Sequence, residues 1–255
     1  MRPASSDRAC YNEFMTARRP LEMIAFDGDD TLWHNERSFR TARVRFQRIL
    51  DDASVALSED EVEAVVNRVE VANIDYYGYG VSSFVLSLIE TAIELTGGRV
   101  TGTQLHGLIE LSKQMLTEEI ELFPAAREVV ASLATTYPLM LITKGDLLHQ
   151  TSKLERSGLR DGFRFVEVVS HKTPAVYSAI LSQQGVDADR FLMIGNSLKS
   201  DVIPVAEIGG WAVHVPAALT WSHEHADLPA RIQHRTFELT SLDRLPDVIE
   251  TIERL

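Results

Sequence analysis

The sequence predicts an α/β fold: a parallel sheet with a separate bundle of four helices set in after the first strand. Three observations carry this expectation. From residue 123 onward, apolar runs of four or five residues alternate with helical patterns, as in a parallel sheet covered on both faces. Between about 37 and 121 the apolar residues recur only at helical spacing, with no strand pattern among them. The residues that leave the apolar runs are acidic, hydroxylic, amide or basic, and ligands of such sheets sit beyond the carboxyl ends of the strands.

Taken in order, residues 1–20 (MRPASSDRACYNEFMTARRP) follow neither period and read as a loosely held N-terminal arm. Leu21 and Met23 to Phe26 form a short buried strand that stops at once in Asp27, Asp29 and Asp30. Four helical stripes follow. Phe39, Ala42, Phe46 and Ile49-Leu50 make the first; Val62, Val65-Val66, Val69 and Ala72 the second, begun by a Ser58–Glu61 capping box. Val85, Leu88-Ile89 and Ala92 to Leu95 make the third, closed by Gly97-Gly98. Leu105, Leu108-Ile109, Met115-Leu116 and Ile120 make the fourth. Between the second and third lies Asp75 to Gly80, a loop whose Tyr77 and Tyr79 either line a substrate mouth or pack in a turn.

Pro124 then fits the start of a helix to about Thr136. Leu139 to Ile142 is a strand, Leu147 to Ser157 a helix stopped by Gly158, and Phe165 to Val169 a strand. Thr173 caps a helix that Pro174 starts; Phe191 to Ile194 is a strand ending in Gly195, and Asp201 to Ile208 a helix. Ala212 to Val215 is a strand, joined by Thr236 to Leu239, and the last helix runs from about Leu242 to Leu255. The domain reading is a core of 21–36 and 122–255 with a helical domain of 37–121.

The formal charge of -12 argues against a nucleic-acid backbone or an anionic membrane as partner. The single Cys10 rules out an internal disulfide framework. No apolar run reaches the ~18 residues of a spanning helix, and no signal-peptide pattern opens the chain; a cytoplasmic protein is expected. No stripe is left excessively apolar, which leaves oligomeric state open.

Three carboxylates over four positions at a strand end repel one another unless a cation or a shared proton relieves them. Oxygen ligands with spare water positions suit Mg²⁺; the alternative is a solvated acidic turn. Leu32 stands where an EF-hand loop needs Gly, which argues against that loop. Later strands end in Thr143-Lys144-Gly145-Asp146, in Ser170-His171-Lys172-Thr173, and in Gly195-Asn196-Ser197 with Asp201 beyond. In a parallel sheet these sets converge on one crevice suited to Mg²⁺ and a phosphoryl group.

Here the chain resembles the haloacid dehalogenase superfamily, most of whose members are Mg²⁺-dependent phosphatases. The D-x-D-x-T motif stands as Asp27-Gly28-Asp29-Asp30-Thr31, the strand ending in a hydroxyl as LMLIT with Thr143, the lysine before a helix as Lys172, and the last motif as GNSLKSD. The resemblance spans roughly residues 21 to 245. It implies a Rossmann-like core, a C1-type helical cap, and hydrolysis of a small phosphorylated metabolite in two steps. Asp27 would be the nucleophile and Asp29 the acid and base, its pKa raised by the crowd of carboxylates. Thr143 and Lys172 would bind the phosphoryl group. Asp27, the Asp29 carbonyl, Asn196 and Asp201 would hold Mg²⁺. Asp30 and Thr31 would hold the turn together.

Two departures stand out. Asn196 replaces the usual ligating aspartate, so weaker Mg²⁺ affinity is expected. Lys144 stands where asparagine is common; it either adds phosphate-binding charge or points to solvent. Trp221-Ser222-His223-Glu224-His225 reads as a polar loop near the crevice rim, not a metal site. Two other functions compete with the phosphatase reading. One is a 2-haloacid dehalogenase, which needs neither Asp29 nor metal. The other is a non-catalytic phospho-ligand-binding or regulatory protein, suggested by Asn196.

Overall fold

The structure is a computed structural model that describes residues 21–53, 55–219 and 221–255; the arm expected at 1–20 lies outside the described residues. β1 (Met23–Phe26) is followed by four helices, α1 (Glu36–Asp52), α2 (Glu59–Tyr77), α3 (Val81–Thr96) and α4 (Gly102–Thr117). Then come α5 (Ala126–Leu133), β2 (Leu139–Lys144), α6 (Leu147–Ser157), β3 (Phe165–Val169), α7 (Pro174–Gln184) and β4 (Phe191–Gly195). The chain closes with α8 (Ile203–Glu207), β5 (Trp211–His214), β6 (Thr236–Glu238) and α9 (Leu245–Arg254).

The strands form one six-stranded sheet in the order β3-β2-β1-β4-β5-β6, and every pairing is parallel. This is the Rossmann-like α/β fold. Both faces are covered, so the strands read as continuous apolar runs. Alternate side chains point to opposite faces. Ile24, Phe26, Leu141 and Ile194 pack with Val129 and Val130 of α5 and Val248 and Ile252 of α9. Met23, Ala25, Met140 and Met193 pack with Tyr177 and Leu181 of α7 and Val205 of α8.

The helical insert has a core of its own, in which Phe46, Val66, Phe84, Leu88 and Leu108 join other residues of α1 to α4 and of the connections between them. The Ser58–Glu61 capping box forms, and a second, Thr101–Gln104, starts α4. The two connections to the sheet run side by side: His34 N–H donates to the Glu121 carbonyl at 2.9 Å and Phe123 N–H to that of Leu32 at 2.9 Å.

Three local expectations change. Ala125 takes a left-handed conformation (φ 63°), so Pro124 lies in a turn and α5 starts after it. Asp75 to Tyr77 complete the last turn of α2 instead of forming a loop. The helix expected from Asp201 begins earlier: Ser197 Oγ accepts from Ser200 N–H, and a π-helical turn, Leu198–Val202, leads into α8. Such wide turns recur at functional sites, and here the turn carries Ser200 and Asp201, both buried.

Candidate active site

β1 is the central strand at which the site begins. Asp27 N–H continues the pairing by donating to the Ile194 carbonyl at 2.8 Å, which points its side chain into the crevice between β2 and β4. Lys172, in the connection from β3 to α7, reaches across and places its ammonium 2.5 Å from Asp27 Oδ1 and 2.7 Å from Asp201 Oδ1. Asp27 and Lys172 are each only 6% exposed, and Asp201 1%. Thr31 Oγ1 donates to Asp27 Oδ2 at 3.0 Å and lies 3.4 Å from Asn196 Oδ1. Asp201 Oδ2 accepts from Ser197 N–H at 3.0 Å. Gly195 permits this approach, because a Cβ there would overlap the Asp201 carboxylate.

Burial raises the Asp27 carboxyl against the opposing pull of Lys172, and the Asp201 charge raises it further. Burial alone would lower the Lys172 ammonium; Asp201 and Asp27 reverse that and hold it protonated. Two buried carboxylates share one ammonium, which leaves surplus negative charge beside the Asn196 amide oxygen. Hard oxygen donors with uncompensated charge are the chemistry of a Mg²⁺ site. Both Asp201 oxygens already have donors, so its contribution is charge more than a free ligand atom. Among the described residues no three His, Cys, Asp or Glu side chains group to hold an ion, so such a site depends on the Asn196 amide.

Asp29 departs from expectation. Its side chain accepts from Trp33 Nε1 at 2.6 Å, Lys153 Nζ at 2.6 Å and Gln150 Nε2 at 2.8 Å. Burial raises its pKa, but Lys153 and these hydrogen bonds outweigh that, and the carboxyl ends below the ordinary value. The expected upward shift from crowding is overturned by a partnering lysine that the sequence did not reveal. Lys153 also donates to Asn35 Oδ1 at 2.6 Å. Asp30 turns away in a left-handed conformation (φ 59°) and accepts from the N–H groups of Asn35 and Glu36, at the start of α1.

Thr143, 1% exposed, and Lys144 stand at the end of β2 and line the same cavity of about 150 Å³ as Asp27, Lys172, Asn196 and Asp201. Lys144 does not point to solvent: its ammonium is 2.5 Å from Glu224 Oε1 and 3.0 Å from Ser200 Oγ. Tyr79 lines the cavity. Tyr77 is not among the residues lining the cavity and stands 57% exposed on the last turn of α2.

The far wall comes from the insert. Arg43 of α1 meets Glu70 at 2.9 Å, Glu63 at 3.1 Å and Glu36 at 3.5 Å. Burial pushes the Glu36 and Glu70 carboxyls up to about 7 despite Arg43. Raised carboxyl pKa values stabilise the fold fully below their ordinary 4.5, and that contribution is lost as pH rises through about 7. The thermal midpoint is therefore expected to fall by a few degrees between pH 5 and 8. Glu70→Gln should flatten the slope, as read by calorimetry.

A parallel α/β sheet with helices inserted after its first strand and an acid-and-lysine crevice at the strand ends defines the class. The chain belongs to the haloacid dehalogenase-like hydrolase family, which matches residues 21–209. Two characterised relatives are phosphatases. A glyceraldehyde 3-phosphate phosphatase of Methanothermobacter thermautotrophicus is 22% identical over 209 residues, 78% of this chain and 88% of the relative. The pyrimidine 5'-nucleotidase YjjG of Escherichia coli is 25% identical over 235 residues, 89% and 97% of the two chains. The crystal structure of a haloacid dehalogenase-like family hydrolase from Xanthomonas campestris superposes with a TM-score of 0.81 at 39% identity, covering 92% of both chains. Dehalogenases at 14 to 20% identity share the fold.

Proposed function

We propose that this hydrolase is a Mg²⁺-dependent phosphatase that cleaves a small phosphorylated metabolite through an aspartyl-phosphate on Asp27, with α1 to α4 acting as its cap. The observation that carries the reading is the buried Asp27–Lys172–Asp201 chain, with Thr143 and Asn196 beside it. Mg²⁺, held by Asp27, the Asp29 carbonyl and Asn196 with the charge of Asp201 behind them, would shield Asp27 from the incoming phosphoryl oxygens. Asp27 attacks phosphorus as the ester P–O bond breaks, and the ester oxygen leaves with the electron pair and takes a proton from solvent, because Asp29 is held ionised. Lys172 and Thr143 stabilise charge developing on the phosphoryl oxygens. Asp29, held ionised by Lys153, is suited to the second step, in which it takes the proton from the water that attacks phosphorus and then returns it to solvent. Hydrolysis regenerates Asp27 and releases inorganic phosphate.

The dehalogenase reading fits the cavity less well. It gives no role to Asp29, which Lys153 holds ionised in that cavity. The insert-side wall carries Glu36 and Glu70, and Arg43 is already held by three carboxylates, so phosphate esters of neutral alcohols are expected to give a higher kcat/KM than esters whose alcohol carries a carboxylate, by about tenfold or more. A matched substrate series measures this.

Turnover of p-nitrophenyl phosphate with Mg²⁺ and in EDTA tests the function. Activity that persists in EDTA, or halide release from 2-chloropropionate without phosphate hydrolysis, overturns it. Asn196→Asp is expected to lower the Mg²⁺ concentration for half-activity several-fold; an unchanged titration removes Asn196 from the metal site.

A further inference from the structure

Glu224 belongs to the Trp221–His225 stretch, which the sequence presents as a polar rim loop, and neither the metal site nor the phosphoryl chemistry uses it. The structure gives it another place. Its carboxylate accepts from Lys144 Nζ at 2.5 Å, Ser197 Oγ at 2.7 Å and Ser200 Oγ at 2.5 Å. These donors come from the end of β2 and from the cap and body of the π-helical turn after β4, and the two strands are not neighbours in the sheet.

We propose that Glu224 is a positioning residue for the reaction, clamping the ends of β2 and β4 to one another, and that Trp221 ties the same segment to the helical insert. The clamp leads directly to the reacting group. Ser197, held by its hydroxyl to Glu224, gives its backbone N–H to Asp201, and Asp201 shares the Lys172 ammonium with Asp27. Charge-assisted hydrogen bonds of this kind are about twice as strong as neutral ones. Burial raises the Glu224 carboxyl, but Lys144 and the two serine hydroxyls bring it down to about 2, so the clamp stays charged at working pH.

The second half rests on contacts that cross from the sheet to the insert. Trp221 Nε1 donates to Asn67 Oδ1 of α2 at 2.9 Å, and the Trp221 ring meets the edge of Tyr79 at 6.4 Å between centroids. The Lys144 ammonium lies 4.3 Å from the centroid of the same Tyr79 ring, a cation–π contact. The insert therefore touches both Lys144 and the segment that carries Glu224. Where the insert sits and how the strand ends are held become one variable.

The inference rests on the phosphatase reading, and its test keeps the two apart. Kinetics on p-nitrophenyl phosphate across a Mg²⁺ series would compare wild type with Glu224→Gln and Glu224→Asp. Glu224→Gln is expected to lower kcat/KM by about tenfold, the low end for outer partners of metal ligands, because Glu224 acts on Asp201 through Ser197, and to raise the Mg²⁺ concentration for half-activity. Glu224→Asp, which keeps the charge, should recover part of both. A residue needed only for folding would lower the melting temperature and leave the Mg²⁺ titration of the folded protein unchanged, and that result overturns the proposal. For the tie to the insert, Trp221→Phe and Asn67→Ala should each speed amide hydrogen exchange at Ser197 and Asp201, with the double variant no worse than the more affected single. Additive effects overturn that half. Should wild type hydrolyse no phosphate ester, the phosphatase reading fails and exchange alone decides: faster exchange at Asp201 in Glu224→Gln supports the clamp, and unchanged exchange overturns it.

Discussion

Asp27→Asn is expected to lower phosphate-ester hydrolysis by at least about 10³-fold, the scale on which losing a covalent nucleophile acts. The amide is nearly isosteric but cannot attack phosphorus. Folding should survive, because the substitution removes one of two buried like charges while Asp201 still pairs with Lys172. The asparagine oxygen can also keep the Thr31 hydroxyl as donor. Circular dichroism and a urea transition would establish the fold, and steady-state turnover the loss. Near-normal rates in a folded variant would remove Asp27 from the chemistry.

Lys172→Met is expected to stop turnover and to destabilise the protein by about 3–5 kcal/mol, the usual cost of breaking a buried ion pair by deleting one partner. Methionine fills the volume, so the loss reports charge: Asp27 and Asp201 would be left buried without the ammonium that lies 2.5 and 2.7 Å from them. Two further results follow from that cause. The double variant Asp27→Asn, Lys172→Met should be more stable than Lys172→Met alone, since only one buried carboxylate then lacks a partner. Mg²⁺ should restore more stability to Lys172→Met than it adds to wild type, because a divalent cation replaces the missing charge. Urea unfolding with and without Mg²⁺ measures both, and a loss under about 1 kcal/mol would contradict the buried-pair account.

The sheet was legible because parallel strands buried on both faces are continuous apolar runs, and MIAF, LMLIT and FLMIG are all such runs. The residues that the structure gathers around Asp27 were legible for a related reason: each leaves a strand on the same side, so strand assignment alone places them together. Where the helix began after Asn196 was not legible, since a π-helical turn leaves no periodicity over five residues. Gln150 and Lys153 are not legible because two polar side chains three apart on a helix read as its wet face. In the structure both are buried against Asp29. That contact reversed the expected direction of the Asp29 pKa, which depends on a partner 124 residues away. Tyr77 and Tyr79 show the same limit from the other side. Adjacent in composition and character, they part because one ends a helix facing solvent and the other enters the turn that meets Lys144.

The central claim is that Asp27 becomes covalently phosphorylated at the point where the strand ends meet. Rapid acid quench during turnover with Mg²⁺, followed by mass spectrometry of the peptide containing Asp27, tests it most directly. The account predicts the mass increment of one phosphoryl group on Asp27, absent in Asp27→Asn. Sustained phosphate release with no increment on that peptide, or an increment on another residue, would contradict it.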